Sequence, residues 1–558
     1  MNAISFPGNM PVVALVLTLC LAIPGCTDTP DTAQTAQGAH EGHESPVSDG
    51  QELGAVHFDV DCDPAVRDDF DRSLALMHHM MYQQARAAFR EIAENHPECA
   101  MAHWGVATTM FQPLWPERPD EETLRQGLEI IEQGRDAAPE TERERLLVDA
   151  TAAFFRDPEN ASYRQRVEAW ADAMETAHET TPEDLDVAAL YGLSLLAVAF
   201  GAEREERDAL HDDAERILRD VWEREQTHPG AIHYSIHATD VDGRAENALD
   251  MVEVYGKVAP EVPHALHMPS HIYVRLGDWE EVIEWNIRSA DAAVDHEVNG
   301  SISFHYVHAI DYLVYGYLQQ GDDAKAEAVY QEALEVGRHQ PSFASAFHLA
   351  AMPARLAVEQ RDWEAASALA PRQPEHQPWE TSHWAEGLTW YARGLGGVHG
   401  GDMELAREAE QQLKHLRYRA RDAGEDGHAD NIEVDRRILS GWIAHRDGRG
   451  EEAMDLMRAA AELEGAMEKD PITPGALAPP GEALGDLLME MERPADALKA
   501  YRDSDAIWPG RFNTLLGAVR AAEAADEEQL AEEFRQRLLA IAGDSDREQL
   551  QPLRADAR

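Results

Sequence analysis

From about Asp61 almost to the end of this 558-residue chain, apolar side chains recur at intervals of three and four. Alanine, leucine and glutamate dominate, and no strand-like alternation interrupts the pattern. Only a helix gathers such positions onto one face. The stripe is also divided into units of similar length. Gly485, Leu488, Ala497, Tyr501 and Pro509 mark one unit, and Gly441, Ala444, Gly448, Ala453, Met457 and Ala460 mark another. Further units centre on the turns Gly277-Asp278-Trp279, Gly321-Asp322-Asp323, Arg361-Asp362-Trp363 and Gly401-Asp402. At the front, Tyr82, Ala85, Phe89 and Pro97 outline a second helix, and the stretch from about Asp120 to Glu225 is helical with degenerate units.

This spacing resembles the tetratricopeptide repeat, a helix-turn-helix unit of about 34 residues. One such hairpin cannot bury its own apolar stripe, so neighbours stack into a continuous core. The resemblance implies an all-α solenoid over residues 61–540, a right-handed superhelix with a concave groove, and residues 541–558 as a C-terminal tail.

The front of the chain has a different composition. Residues 1–26 read as an export signal whose apolar run, Pro11 to Ile23, is too short to span a bilayer comfortably. It ends Leu21-Ala22-Ile23-Pro24-Gly25-Cys26, which resembles a bacterial lipobox and makes Cys26 the expected lipidation site. Thr27 follows the cysteine where an aspartate would favour inner-membrane retention, so the expected location is the outer membrane, facing periplasm or surface. Plain secretion into the periplasm or beyond is the alternative. Residues 27–60 read as a flexible tether. Cys62 and Cys99 are then the remaining cysteines, and two cysteines in an oxidising compartment are expected to form a disulfide.

Charge narrows the partners. The formal net charge is −57, and lysine occurs only at 257, 325, 414, 469 and 499. Such a surface repels phosphate backbones, which argues against nucleic acid. It favours cations, metals or basic peptides, and the membrane is met only through the lipid anchor.

Histidine supplies the chemistry. Counted back from Gly243, His233 lies ten residues away, His237 six and Asp240 three; from Gly277, His264, His267 and His271 lie thirteen, ten and six away. From Gly321, His308 lies thirteen back and Asp311 ten, and from Arg361, His348 lies thirteen back. At about 100° per residue these offsets share an arc of roughly 80° on the first helix of each unit. Neighbouring helices stack at about 10 Å, so side chains from two or three units converge. His233 and His237 are spaced i, i+4, and His267 and His271 repeat the pair 34 residues later. Three imidazoles with a carboxylate form a plausible shell for zinc, copper, iron or nickel. The candidate ligands are His233, His237, His264, His267, His271, His308 and Asp240, and Asp240 or Asp311 is the candidate general base.

Other features carry less. Met268-Pro269 and Met352-Pro353 fall at equal offsets before their turns, which predicts two matched helix kinks. His78 and His79 lie among Met77, Met80 and Met81; thioether with imidazole suits copper, but a methionine stripe reads first as core packing. His305 falls outside the shared register. His383, His399, His415, His428 and His445 read as scattered surface residues.

The strings His228-Pro-Gly-Ala-Ile-His233-Tyr-Ser-Ile-His237-Ala-Thr-Asp240 and Pro263-His-Ala-Leu-His-Met-Pro-Ser-His271 resemble those of bacterial tetratricopeptide-repeat proteins, often exported, with paired histidine motifs. That resemblance supports a site without naming its use. Three functions stay open: an envelope-anchored metal-binding module, a metal-dependent hydrolase or oxidoreductase using the same histidines, and a scaffold for a protein or peptide partner. A metalloprotease-type His-Glu-x-x-His is absent from the sequence.

Overall fold

The computed structural model describes residues 51–115, 118–294 and 296–556. The export signal, Cys26 and most of the tether lie outside that range. Among the described residues the chain is helical apart from a short antiparallel ribbon in which Val298 pairs with Ser301 and isolated bridging near His339.

Consecutive helices pack in pairs. The first pairs are α1 (Arg67–His78) with α2 (Tyr82–Asn95), and α3 (Ala100–Thr108) with α4 (Glu121–Asp136). Then come α5 (Glu142–Phe155) with α6 (Tyr163–Thr180), and α7 (Leu185–Ala199) with α8 (Arg204–Arg224). The middle of the chain supplies α9 (Pro229–Thr239) with α10 (Leu249–Val258), and a split helix, α11 (Pro263–His267) and α12 (Pro269–Leu276), with α13 (Trp279–Val294). Next are α14 (Phe304–Gln319) with α15 (Asp323–Glu335), and α16 (Phe343–Glu359) with α17 (Trp363–Ala368). The C-terminal pairs are α18 (His383–Gly400) with α19 (Met403–Asp422), and α20 (Asp426–Arg446) with α21 (Gly450–Ala466). Last come α22 (Pro480–Glu490) with α23 (Pro494–Ile507), α24 (Phe512–Ala524) with α25 (Glu528–Ala542), and the short α26 (Leu550–Asp556). The fold is an all-α stack of helical hairpins, as the repeat implied.

The turns follow from two residues. Gly277, Gly321, Gly401 and Gly448 have φ of 69°, 68°, 88° and 79°, the left-handed conformation that ends a helix. Arg361 takes the same place at φ 57° despite its side chain. The aspartate after three of these turns then caps the next helix. Asp322 accepts from Lys325 N–H at 3.1 Å, Asp362 from Ala365 N–H at 3.0 Å and Asp402 from Leu405 N–H at 3.0 Å.

The ends differ from expectation. The tether stops before residue 60, because Leu53, Val56, Phe58 and Val60 are buried against the first hairpins. Ala55 N–H donates to Thr227 O at 3.0 Å, and Phe58 N–H to Asp71 Oδ1 at 3.0 Å. Cys62 and Cys99 are joined in a disulfide. Residues 541–556 are no loose tail: Leu550 and Leu553 are buried, and Ser545 Oγ donates to Gly321 O at 2.8 Å.

The expected open groove is filled. Trp279 Nε1 donates to Gly510 O at 2.8 Å, and Phe512 N–H to Gln319 Oε1 at 2.9 Å, so the last hairpins meet the middle ones. The loop between α21 and α22 lies inside. Lys469 Nζ donates to Asp240 Oδ2 at 2.9 Å, Tyr312 OH to Pro471 O at 3.2 Å, and Arg355 Nη1 to Gly475 O at 2.7 Å. No helix among the described residues is long and apolar enough to cross a membrane.

The two prolines do not act alike. Pro269 starts α12 and divides it from α11, whereas Pro353 sits inside a continuous α16. Met268 keeps helical dihedrals between the two halves, so His264, His267 and His271 stay on one face.

Candidate metal centre

Histidines from four successive first helices converge beneath the inner loop. His233 and His237 come from α9, His264 and His267 from α11, His271 from α12, His305 and His308 from α14, and His348 from α16. All but His237 are buried. The register read from the turns therefore brings the candidate ligands together.

His267, His271 and His308 form one group, with one ring nitrogen of each within 4.8 Å of the others. Hydrogen bonds behind the rings fix their tautomers. Asn286 Nδ2 donates to Val282 O at 2.7 Å, so its Oδ1, 2.6 Å from His267 Nδ1, accepts the proton there. Asp240 Oδ2 lies 2.9 Å from His271 Nδ1 and accepts from it. His348 Nδ1 donates to Asp311 Oδ2 at 3.0 Å, which leaves His348 Nε2 as acceptor for His308 Nδ1 at 2.8 Å. His267 and His271 thus turn their Nε2 lone pairs towards each other, and His308 keeps a lone pair on Nε2. His267 Nε2 and His271 Nε2 stand 3.0 Å apart with no proton assigned between them. Two facing lone pairs at that distance repel unless a cation lies between. Behind a metal-bound imidazole, this pattern of outer acceptors is the usual support.

The electrostatics favour neutral rings. Burial, reinforced by neighbouring histidines, holds His267 and His308 well below the usual imidazole range. Burial also lowers His271, against the pull of Asp240. Neutral imidazole is the ligating form.

His233, His237 and His264 form the second group, again within 4.8 Å. His233 Nδ1 donates to the His78 carbonyl at 2.7 Å, which leaves Nε2 as a lone pair. His233 Nε2, His237 Nε2 and both nitrogens of His264 are buried without a protein partner. Leaving such atoms unpaired costs about 1–3 kcal/mol each. Burial and then His271 push His237 down to about 3. The groups adjoin: the ring centres of His237 and His271 are 6.2 Å apart, and those of His264 and His267 are 6.3 Å apart. A cavity of about 40 Å³ touches both, lined by His237, His264, His271 and His308 with Met80, Trp115, Phe304 and Ile472.

The aspartates stand elsewhere than expected. Asp240, offered as a ligand or base, lies behind His271, with Oδ1 accepting from Arg275 Nε at 2.8 Å and Oδ2 shared by His271 and Lys469. Burial alone would raise it, but Lys469 and Arg275 hold it well below the usual carboxylate range. Asp311 repeats the arrangement, with His348 on Oδ2 and Arg355 Nε on Oδ1 at 2.8 Å. Two carboxylates so engaged are poor proton acceptors and better supports. Sequence counting missed their partners Arg275, Arg355 and Lys469, and it missed Asn286. His271 and Arg275 at i, i+4 were the available signal for one of them.

Other histidines also move. His305, placed outside the register, has its ring 5.3 Å from His264 and 6.0 Å from Trp115, with Nδ1 buried and unpartnered. His383 and His428 are buried rather than exposed, on either side of Glu425. A third group, His78, Asp186 and His228, carries its own carboxylate, and of its ring nitrogens only His228 Nε2 lacks a hydrogen bond. Asp186 Oδ1 lies 2.9 Å from His78 Nε2 and 3.3 Å from His228 Nε2, and His228 Nδ1 accepts from Ala231 N–H at 3.2 Å. His79 is satisfied by Leu53 O and Tyr255 OH, both at 3.0 Å.

No family model matches the sequence, and no curated protein does. Among solved structures, the human IFIT1 dimer with m7Gppp-AAAA is 13% identical, over 80% of this chain and 90% of that one, at a TM-score of 0.35. The human IFIT1 dimer with PPP-AAAA is 11% identical, over 87% and 96%, at 0.38. Likeness at these scores bears on neither mechanism nor ligand. What the chain itself presents is a helical-repeat scaffold with two adjoining histidine groups at its centre.

Proposed function

We propose that this protein is an exported, envelope-anchored metal-binding protein that holds a transition-metal ion, zinc, copper or iron, on His267, His271 and His308. The observation that carries the reading is the pair of inward Nε2 lone pairs 3.0 Å apart, each fixed by an acceptor behind its ring. A proton on His271 would serve instead, drawn by Asp240, but burial outweighs that pull and the charges on Lys469 and Arg275 add to the opposition. His-rich, exported tetratricopeptide-repeat proteins remain the resemblance that fits, with Cys26 as the lipidated residue.

A catalytic use of the same ion is the second reading. It is supported by a cavity of about 270 Å³ beyond Lys469, lined by Arg207, Trp384, Asp435, Glu464 and Trp508 among others. That space suits a small substrate, as a hydrolase or oxidoreductase would need. A peptide partner has less support, since residues 469–475 already occupy the inner face.

The test is the metal content of the purified full chain, measured by plasma mass spectrometry beside His271→Ala. Bound metal near stoichiometry, lost in the variant, supports the reading. An empty protein after incubation with zinc, copper and iron in turn would overturn it.

A further inference from the structure

The first group of histidines uses three of the inward rings and leaves the other three without a task. We propose that His233, His237 and His264 are a second metal position beside the first, and that the pair takes two cuprous ions. The inference rests on reading His267, His271 and His308 as a metal site.

Four buried nitrogens point to the second position: His233 Nε2, His237 Nε2 and the two of His264 meet no protein partner. His233 is oriented from behind by the His78 carbonyl, the same kind of support that His267 and His271 receive. The third histidine group shows less of this signature: only His228 Nε2 lacks a hydrogen bond there, and Asp186 Oδ1 stands 3.3 Å from it.

Charge and ligand type select the ion. Both groups consist of imidazoles, with no carboxylate or thiolate among the ligands. Asp240 and Asp311 are already matched by Arg275, Lys469 and Arg355, and the carboxylate on the cavity wall, Asp470, accepts from Ile472 N–H at 3.0 Å. Two divalent ions would place four positive charges in a buried site against that single carboxylate. Two monovalent ions halve that charge, and copper(I) accepts three nitrogen donors. A soft donor is also at hand. Met80 lines the cavity with His237, His264, His271 and His308, and a thioether suits copper(I). Met80 is held at φ 55°, in the left-handed region that a residue with a long side chain rarely adopts.

The experiment loads the full chain anaerobically with copper(I), supplied as its acetonitrile complex, then removes the excess and counts copper per chain. His237→Ala and His271→Ala are loaded in parallel, with His237→Gln as a gentler variant and helix content checked by circular dichroism. Two copper ions in the parent and one in each variant are expected. One copper in the parent, lost by His271→Ala and kept by His237→Ala, overturns the second position and leaves the first intact. No copper and no other metal overturns both. In a second arm zinc and copper(I) are offered together at equal concentration. Copper retained at two per chain is expected, and zinc retained in its place overturns the cuprous assignment.

Discussion

Asp240 shows how one side chain can organise a site without touching the chemistry. Its two oxygens receive His271, Arg275 and Lys469, so it fixes a ring, anchors the helix α12 and clasps the inner loop. Replacing it by asparagine keeps the shape and removes the charge that two buried cations need. Asp240→Asn is expected to cost about 3–5 kcal/mol in a urea titration, as for other broken buried ion pairs. Metal affinity is expected to fall about 10–100-fold in a chelator competition, as for other lost outer acceptors. Glu464 gives a pH signature instead. Burial pushes its carboxyl up from 4.5 to about 7, against the hydrogen bond from Trp508. The folded protein therefore keeps this proton while the unfolded chain releases it above 4.5. The associated stability is present below that pH and is lost as pH rises towards 7. Glu464→Gln is expected to flatten that decline, gaining about 1–3 kcal/mol at neutral pH in denaturation curves taken across the range.

At the scale of the element, the hairpin turn separates two costs that are usually mixed. Gly277 and Gly401 share a positive φ, but their surroundings differ. A Cβ on Gly277 would lie 2.8 Å from Pro509 O, whereas one on Gly401 would meet nothing within 4 Å. Gly401→Ala is expected to cost about 1 kcal/mol for the backbone alone. Gly277→Ala adds the clash and is expected to cost about 2–4 kcal/mol, seen as a larger fall in melting temperature. Such turns were readable from the sequence, because a glycine and a capping aspartate announce themselves locally. The histidine register was readable for the same reason: i, i+4 spacing and a fixed repeat length are properties of single helices. His305 was not, since its neighbour Trp115 arrives from a distant loop. The roles of Asp240 and Asp311 were not either, because the cations that claim them lie on α12, on α16 and in the inner loop.

Across the whole molecule, closure is the feature that repeat counting could not supply. A stack of hairpins is built from neighbours, yet Lys469 reaches Asp240 across 229 positions of sequence. Arg511 is the main tie: it is fully buried, 2.7 Å from Glu359 and from Tyr315 OH, and 3.2 Å from Glu482. Arg511→Met is expected to lower stability by about 3–5 kcal/mol, since two buried carboxylates lose their cation. Hydrogen exchange would then speed up together in α14, α16 and α24, on both sides of the joint. Faster exchange in α24 alone would show that the joint does not hold the halves as a unit.

The inner loop also sets an order of events. The histidines on α9 to α14 leave the ribosome long before Lys469 and Pro471 exist, and those later residues form the roof over them. An ion bound by these histidines would have to pass while that roof is undocked or lifted. Under the roof it would exchange at the pace at which the roof lifts. The protein would then keep such a cargo by delay as much as by affinity.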